Sequence, residues 1–310
     1  MSEFSLIKQY FQNATNTHTY TDVGIGDDCA ISSLPESQQL VSCVDLLVAD
    51  RHFPLDTDPY AIGWKSVAVN LSDLAAMGAT PYAILLGVSL PTADNDWLKA
   101  FSQGLADICQ QFCVQLIGGD TTKSEMLTIS VTALGTIPHG QGILRSGAKV
   151  GDVICVSGEI GNASFALQQI LKREKNRTLQ SALDLPTPQV ELGQKLHGFA
   201  HSMIDISDGL GQDLGHILTA SDVGAKLFLE KIPTHPILQS LPNPEKWQHQ
   251  MNGGDDYHLC FTLSPENYVK LNTEYPNTIF AIGEIVTEQG LQLFSDGEKV
   301  DFSVNGWQHF

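Results

Sequence analysis

The sequence predicts a mixed α/β chain of α+β layout, arranged as two domains. Short β-like apolar runs alternate with longer segments of helical periodicity along its whole length. At 310 residues the chain has enough material for a large core and, on length, for two domains. A glycine-rich stretch, "PHGQGILRSGAKVGD" at 138–152, interrupts the alternation and reads as a linker and turn, after which strand and helix patterns resume.

"QLVSCVDLLVA" (39–49) is apolar enough to read as a buried strand. Asp58 then offers a helix N-cap and Pro59 the first helical position, where a missing N–H costs nothing. The helix through "YAIGWKSVAVNLSDLAAMG" stops at Gly78, a residue suited to a C-terminal cap. A strand "YAILLGVSL", a helix over 94–113, a strand "VQLIGG" leading to Asp120 and a strand "MLTISVTALGTIP" complete the first half. The second half holds a strand "VICVSG", helices near 162–173 and 188–200, a strand "SMIDIS", a helix from 209, and strands "AKLFLE" and "YHLCFTL".

Composition removes several classes of function. Apolar residues make up 42% and charged residues 17%, the balance of a folded rather than a disordered chain. Asp and Glu outnumber Lys and Arg by 35 to 17, a net charge of −18, which argues against a nucleic-acid surface. The single basic run, "KREK" at 172–175, reads as the solvated end of a helix. "MSEFSLIKQYF" does not have the pattern of a signal peptide, and "PYAILLGVSLP" is too short to span a bilayer. The six cysteines (29, 43, 109, 113, 155, 260) are scattered, and Cys109 and Cys113, one helical turn apart, have no histidine at ligand spacing. These features lead to the expectation of reduced thiols in a cytoplasmic protein without a membrane partner.

The aspartates carry the chemical signal. Asp27 and Asp28 follow a glycine turn in "GIGDDCA", Asp45 lies in a strand, and Asp73 sits on an otherwise apolar helix. Asp120 follows "IGG", while Asp205 and Asp208 in "IDISDG" leave a strand and enter a helix. Asp208 as an N-cap and Asp120 as a turn residue have structural explanations. Asp45 and Asp73 stand where aspartate has poor propensity. Carboxylates so placed beside glycines suit a hard cation such as Mg²⁺ held between protein and phosphate. A scatter of caps and turns is the competing reading. No GxxxxGK[ST] loop and no kinase catalytic-loop pattern is present.

Taken in order, "GIGDDCA", "D-x-L-V-x-x-x-H-F" from Asp45 to Phe53, "KSVAVNLSDLAAMGATP", "LIGGDTT", "RSGAKVGD", "IDISDGLGQDLGHI" and "GGDDYHLCFT" resemble the thiamine-monophosphate kinase family, across nearly the whole chain. That family belongs to the aminoimidazole ribonucleotide synthetase superfamily. The resemblance implies an N-terminal ATP- and Mg²⁺-binding and dimerisation domain over 1–138, forming a β-barrel across a homodimer, and a C-terminal α/β domain over 150–310. It implies ATP-dependent phosphorylation of thiamine monophosphate, the closing step of thiamine diphosphate synthesis. The γ-phosphoryl would pass directly, with several Mg²⁺ ions and no covalent phosphoenzyme.

Position by position, the resemblance makes Asp28, Asp45, Asp73, Asp120, Asp205 and Asp208 metal ligands, with Asp27 able to share the task. Among them Asp45, Asp73, Asp120 and Asp208 form the catalytic set. Gly119, Asp120, Arg145 and Ser207 match ATP contacts, and His52, Asp255 and Trp307 match contacts to thiamine monophosphate. Competing structural readings are a turn role for His52 and a lid over the core for Trp307. Lys65 reads as a phosphate contact or a snorkelling surface lysine, and "SGEIGN" as a phosphate cradle or an ordinary turn and cap. The chain departs from the family pattern in three places. Cys43 and Val44 stand where hydroxyl residues are usual, Leu46 where threonine is, and the "GGEDYE" acids are Asp255 and His258.

Overall fold

The computed structural model describes residues 3–174 and 177–307, and the chain splits into two compact units. The first comprises Met1–Leu74 and Ala79–Gly140, the second Ala75–Gly78 and Gln141–Phe310.

The first unit opens with a short helix α1 (Glu3–Leu6) and the paired strands β1 (Thr21–Val23) and β2 (Ile31–Ser32). Its main elements are β3 (Gln38–Val48), α2 (Pro59–Ala76), β4 (Thr80–Leu90), α3 (Asn95–Gln111), β5 (Gln115–Lys123) and β6 (Thr128–Pro138). They form an open four-stranded sheet in the order β3-β6-β4-β5. β4 and β5 run parallel because α3 carries the chain back between them. α2 begins as its sequence predicts, with Asp58 Oδ1 accepting the Tyr60 N–H at 2.8 Å. It ends at Gly78, whose φ of +72° turns the chain so that Ala79 N–H reaches Leu74 O.

Two expectations change here. β3 is an edge strand, and Leu40, Val44 and Leu46 are exposed along one of its faces while Cys43, Asp45 and Leu47 alternate onto the other. Its continuous apolar character therefore does not mean burial on both faces within one chain. β5 does not stop before Asp120 but runs through it, pairing Asp120 with Gly87.

The second unit contains β7 (Val153–Val156), α4 (Asn162–Leu171), α5 (Gln180–Asp184), α6 (Val190–Lys195), β8 (Ala200–Asp205), α7 (Leu210–Ser221) and β9 (Gly224–Phe228). It continues with α8 (Pro236–Gln239), α9 (Asn243–Asn252), β10 (Leu259–Leu263), α10 (Pro265–Glu274), β11 (Phe280–Val286), β12 (Gly290–Ser295) and β13 (Glu298–Val300). Seven strands pair in the order β13-β12-β9-β11-β7-β10-β8. Ile154, Ile204, Leu210, Leu214, Cys260 and Ile282 lie at the centre of its core. The helix expected over 188–200 is confined to α6, since Leu196 caps it and β8 pairing begins at Ala200. Lys172, Arg173 and Glu174 are exposed just beyond α4, and Lys175 lies outside the described residues. All six cysteines are free thiols. No helix of the described residues is long and apolar enough to cross a membrane.

Candidate active site

In the first unit, strand alternation puts Cys43 and Asp45 on the same face of β3, turned toward α2. The Cys43 thiol lies 3.4 Å from Asn70 O on that helix. Burial pushes this thiol far up, helped by the nearby charges of Asp73 and Asp45 and by its hydrogen bond to Asp73. Asp45 and Asp73 thus flank one sulfur atom. Among the apolar residues that α2 buries, four polar ones, Lys65, Ser66, Asn70 and Ser72, are buried as well. Lys65, at 3% exposure, is not a snorkelling surface lysine.

Asp120 is not brought to Asp45. They sit on opposite edge strands, β5 and β3, three strand spacings or roughly 14 Å apart. Gly119 beside it holds the backbone of β5 tight against β4: a Cβ there would lie 1.9 Å from Leu86 O. Asp27 and Asp28 are exposed, and Asp27 Oδ1 accepts the Asp28 N–H at 2.9 Å. Water alone makes this pair tolerable, so the adjacent charges need no cation to explain them. His52 closes the turn after β3, its Nδ1 accepting the Val48 N–H at 3.0 Å. In the neutral ring the proton therefore sits on Nε2.

In the second unit, the segment from Asp205 to Gly209 joins β8 to α7. Asp205 is buried at 4% exposure. Asp208 is not a side-chain N-cap. Gly209 holds that position, and Asp213, from the first turn of α7, reaches back to the loop. Its Oδ2 accepts the N–H groups of Ser207, Asp208 and Gly209 at 3.0, 3.1 and 3.1 Å. Burial, then the charges of Asp205 and Asp208, raise the Asp213 carboxyl to about 8, against the pull of its backbone donors.

Two further segments dock on this loop. Asp255 N–H donates to Ser207 O at 2.9 Å, and Tyr257 N–H to Ile206 O at 2.8 Å, so "GGDDYH" runs alongside the loop. The Tyr257 hydroxyl donates to Asp255 Oδ1 at 3.0 Å. Trp307 N–H donates to Asp208 O at 3.1 Å, while the residue stays 44% exposed, so it is no lid over the core. Ser207, Asp208, Asp255 and Trp307 are thus one connected group. Arg145 is not part of it. Ser221 Oγ lies 3.4 Å from Arg145 O at the far end of α7, a helix about 18 Å long.

The helix after "SGEIGN" is closed to phosphate by the protein itself. Asp256 accepts the Gly161 N–H at 2.8 Å at the start of α4, and burial raises its carboxyl to about 8. His258, in place of an acid, packs against Gly158 with Ser157 Oγ 3.1 Å from Nδ1. Burial lowers it to about 4, so it supplies no charge at neutral pH.

The accessible donors are carboxylate oxygens, the chemistry Mg²⁺ prefers. Among the described residues, no three His, Cys, Asp or Glu side chains are grouped to hold a metal by themselves.

Residues 26–137 match the family model "AIR synthase related protein, N-terminal domain". Over 99% of its length the chain is 40% identical to the thiamine-monophosphate kinase of Escherichia coli (strain K12), covering 98% of that protein. The chain belongs to the thiamine-monophosphate kinase family. The crystal structure of the thiamine-monophosphate kinase from Stenotrophomonas maltophilia K279a superimposes with a TM-score of 0.84 at 40% identity, over 91% of this chain and 93% of that one. AaThiL complexed with AMPPCP and TMP superimposes with a TM-score of 0.79 at 29% identity, over 90% and 89%.

For a member of the thiamine-monophosphate kinase family, two residues here went unread in the sequence, Asp213 and Asp256. Both lie inside motifs already picked out, and both are turned toward backbone amides. The signal for Asp213 was its spacing. An acid four residues into a helix that starts at Gly209 stands where it can reach back to unpaired N–H groups.

Proposed function

We propose that this chain transfers the γ-phosphoryl group of ATP directly to the phosphate of thiamine monophosphate, giving thiamine diphosphate and ADP. The observation that carries the proposal is the full-length likeness to AaThiL in complex with AMPPCP and TMP. In AMPPCP a carbon bridge replaces the transferable oxygen link, so that complex holds a nucleotide and the acceptor together. Simultaneous binding supports direct displacement over a phosphoenzyme.

Both substrates are polyanions, and the protein's part is positioning and charge management rather than acid–base chemistry. Bound Mg²⁺ would supply positive charge against the phosphates. In the first unit Asp27, Asp28, Asp45, Asp73 and Asp120 would hold such ions, and in the second Asp205 and Asp208 would. Gly119 leaves the backbone beside Asp120 uncovered, and Ser207 offers a hydroxyl to the nucleotide. Arg145 would bring a planar donor fork to phosphate. His52 Nε2–H would donate to the acceptor's phosphate. Asp255 and the exposed indole of Trp307 would take the thiamine rings, the latter by stacking on the cationic thiazolium.

The domain assignment follows the same reading, 1–138 for ATP, Mg²⁺ and dimerisation and 150–310 for the α/β domain. The exposed face of β3, with Leu40, Val44 and Leu46, supports a homodimer, because apolar edge strands are normally covered. Pairing β3 with β5 of a two-fold partner would close two open sheets into a barrel. It would also bring Asp45 beside the partner's Asp120, which a single chain leaves far apart.

Incubation of the full chain with ATP, MgCl₂ and thiamine monophosphate tests the reaction. Thiamine diphosphate and ADP should form in equal amounts, with free thiamine a poor acceptor. Equal turnover of free thiamine, or no diphosphate at saturating magnesium, contradicts it.

A further inference from the structure

Three successive amides, those of Ser207, Asp208 and Gly209, point to one spot at the start of α7. Such a nest ordinarily attracts an external anion, and a phosphate would suit it. Here Oδ2 of Asp213 already fills it, accepting all three N–H groups at 3.0 to 3.1 Å. Asp213 is 3% exposed, so it is turned inward rather than toward solvent.

The loop so fixed anchors much of the second unit's site. Gln212, beside Asp213 on α7, donates from Nε2 to Asp208 Oδ2 at 3.0 Å and to Trp307 O at 3.2 Å. Ser207 O receives the Asp255 N–H, and Asp208 O the Trp307 N–H. The contacts given to Ser207, Asp208, Asp255 and Trp307 therefore depend on the path of the backbone from Ile206 to Gly209. The Asp213 side chain holds that path.

We propose that Asp213 is a positioning residue for phosphoryl transfer, an internal acceptor that takes the place a phosphate would occupy at the nest. It directs Ser207, Asp208, Asp255 and Trp307 without touching either substrate. This rests on the reaction proposed above. It predicts that the hydrogen-bond acceptor matters and the negative charge does not. Asp213→Asn keeps a carbonyl oxygen for the amides and loses the charge, whereas Asp213→Ala loses both.

Full-length wild type, D213N and D213A are compared by amide hydrogen exchange of the peptide covering 206–210 and by steady-state kinetics with ATP, Mg²⁺ and thiamine monophosphate. In D213A the amides of 207–209 should exchange at least about tenfold faster. Its KM for ATP should rise about 10- to 100-fold, as for other groups that orient a ligand from behind. D213N should recover most of both. If D213A does not fold, D213S replaces it, since a serine hydroxyl is too short to reach three amides. Unchanged exchange in the Ala or Ser variant overturns the proposal. So does a D213N enzyme as impaired as D213A, because then the charge itself acts on metal or substrate. A wild type inactive with ATP and thiamine monophosphate overturns the reaction instead, and the exchange comparison still decides the role of Asp213 in the loop.

Discussion

In the first unit Asp27, Asp28 and Asp120 are exposed and Asp45 and Asp73 half-buried. In the second, Asp152 and Asp213 are both 3% exposed, and each collects donors from its own unit. Asp152 takes the Lys149 N–H at 2.8 Å and His201 Nδ1 at 2.8 Å. Asp213 and Asp256 each sit at the start of a helix and accept its unpaired amides, while burial raises both carboxyls to about 8. One residue type thus meets two environments. Where water reaches the carboxylates, their oxygens are open to ligands. Where it does not, Asp152, Asp213 and Asp256 accept backbone amides and hold the chain's path.

The sharpest way to break this contrast is to remove charge from the accessible set. Asp45→Asn, Asp73→Asn or Asp120→Asn should each reduce turnover by about a hundredfold or more, the scale of losing one electrostatic stabiliser. Melting temperatures should stay level or rise, because repulsion is relieved. A variant that melts lower yet turns over normally would place its residue in the structural class.

Separation of Asp45 from Asp120 within one chain gives the next test. Mixing inactive Asp45→Asn and Asp120→Asn proteins under exchange conditions should restore about a quarter of wild-type activity, since half of random dimers carry one intact site of two. No recovery, with subunit exchange verified, would mean that both residues act within one protomer or that the chain is no dimer.

For the buried set the effect is on stability and depends on pH. Asp256 is raised in the folded chain from 3.8 to about 8. Its stabilising share is therefore fully present below about pH 4 and lost as pH rises through about 8. Asp256→Asn keeps an acceptor for the α4 amides and does not titrate. In EDTA it should flatten the fall of Tm across that window and melt higher than wild type at pH 8.5, by about 2–4 °C for each kcal/mol regained. Parallel melting curves across pH would remove Asp256 from the account.

The smallest effect concerns Cys43. Strand alternation turns Val44, at 54% exposure, away from Asp45, so only Cys43 shares a face with it. Cys43→Ser should lower the Mg²⁺ concentration at half-maximal rate between about twofold and tenfold, the range of one hydrogen bond's net worth. Val44→Thr should leave it unchanged. An equal shift from both changes would mean that β3 is not alternating as described.

Most elements of the first unit were legible because each has a local cause: Asp58-Pro59 starts α2, Gly78 stops it, and alternation marks β6. The exposure of β3 was not legible, since an apolar run looks the same whether its own chain or another covers it. Asp45 and Asp73 could be singled out because both defy propensity. Asp256 could not, because what distinguishes it is the direction in which it turns, and that depends on a backbone path set by distant strands; Asp213 had only its place in the first turn of α7 to mark it. The burial of Lys65 is hidden in the same way, since the sequence pattern of α2 does not show how closely the helix seats on its sheet. For Asp208 the hydrogen bonds remove the N-cap reading, and for His52 they show the turn contact, neither of which residue type alone reveals.

The division of the aspartates is tested most directly by counting bound Mn²⁺, a paramagnetic substitute for Mg²⁺, on the full chain with AMPPCP and thiamine monophosphate present. Wild type, Asp45→Asn, Asp73→Asn, Asp213→Asn and Asp256→Asn are titrated and free Mn²⁺ is read by electron paramagnetic resonance. The account predicts that Asp45→Asn and Asp73→Asn each lose or weaken a bound ion, while Asp213→Asn and Asp256→Asn bind as wild type does. Loss of an ion in Asp213→Asn or Asp256→Asn, with binding intact in the first pair, would contradict it.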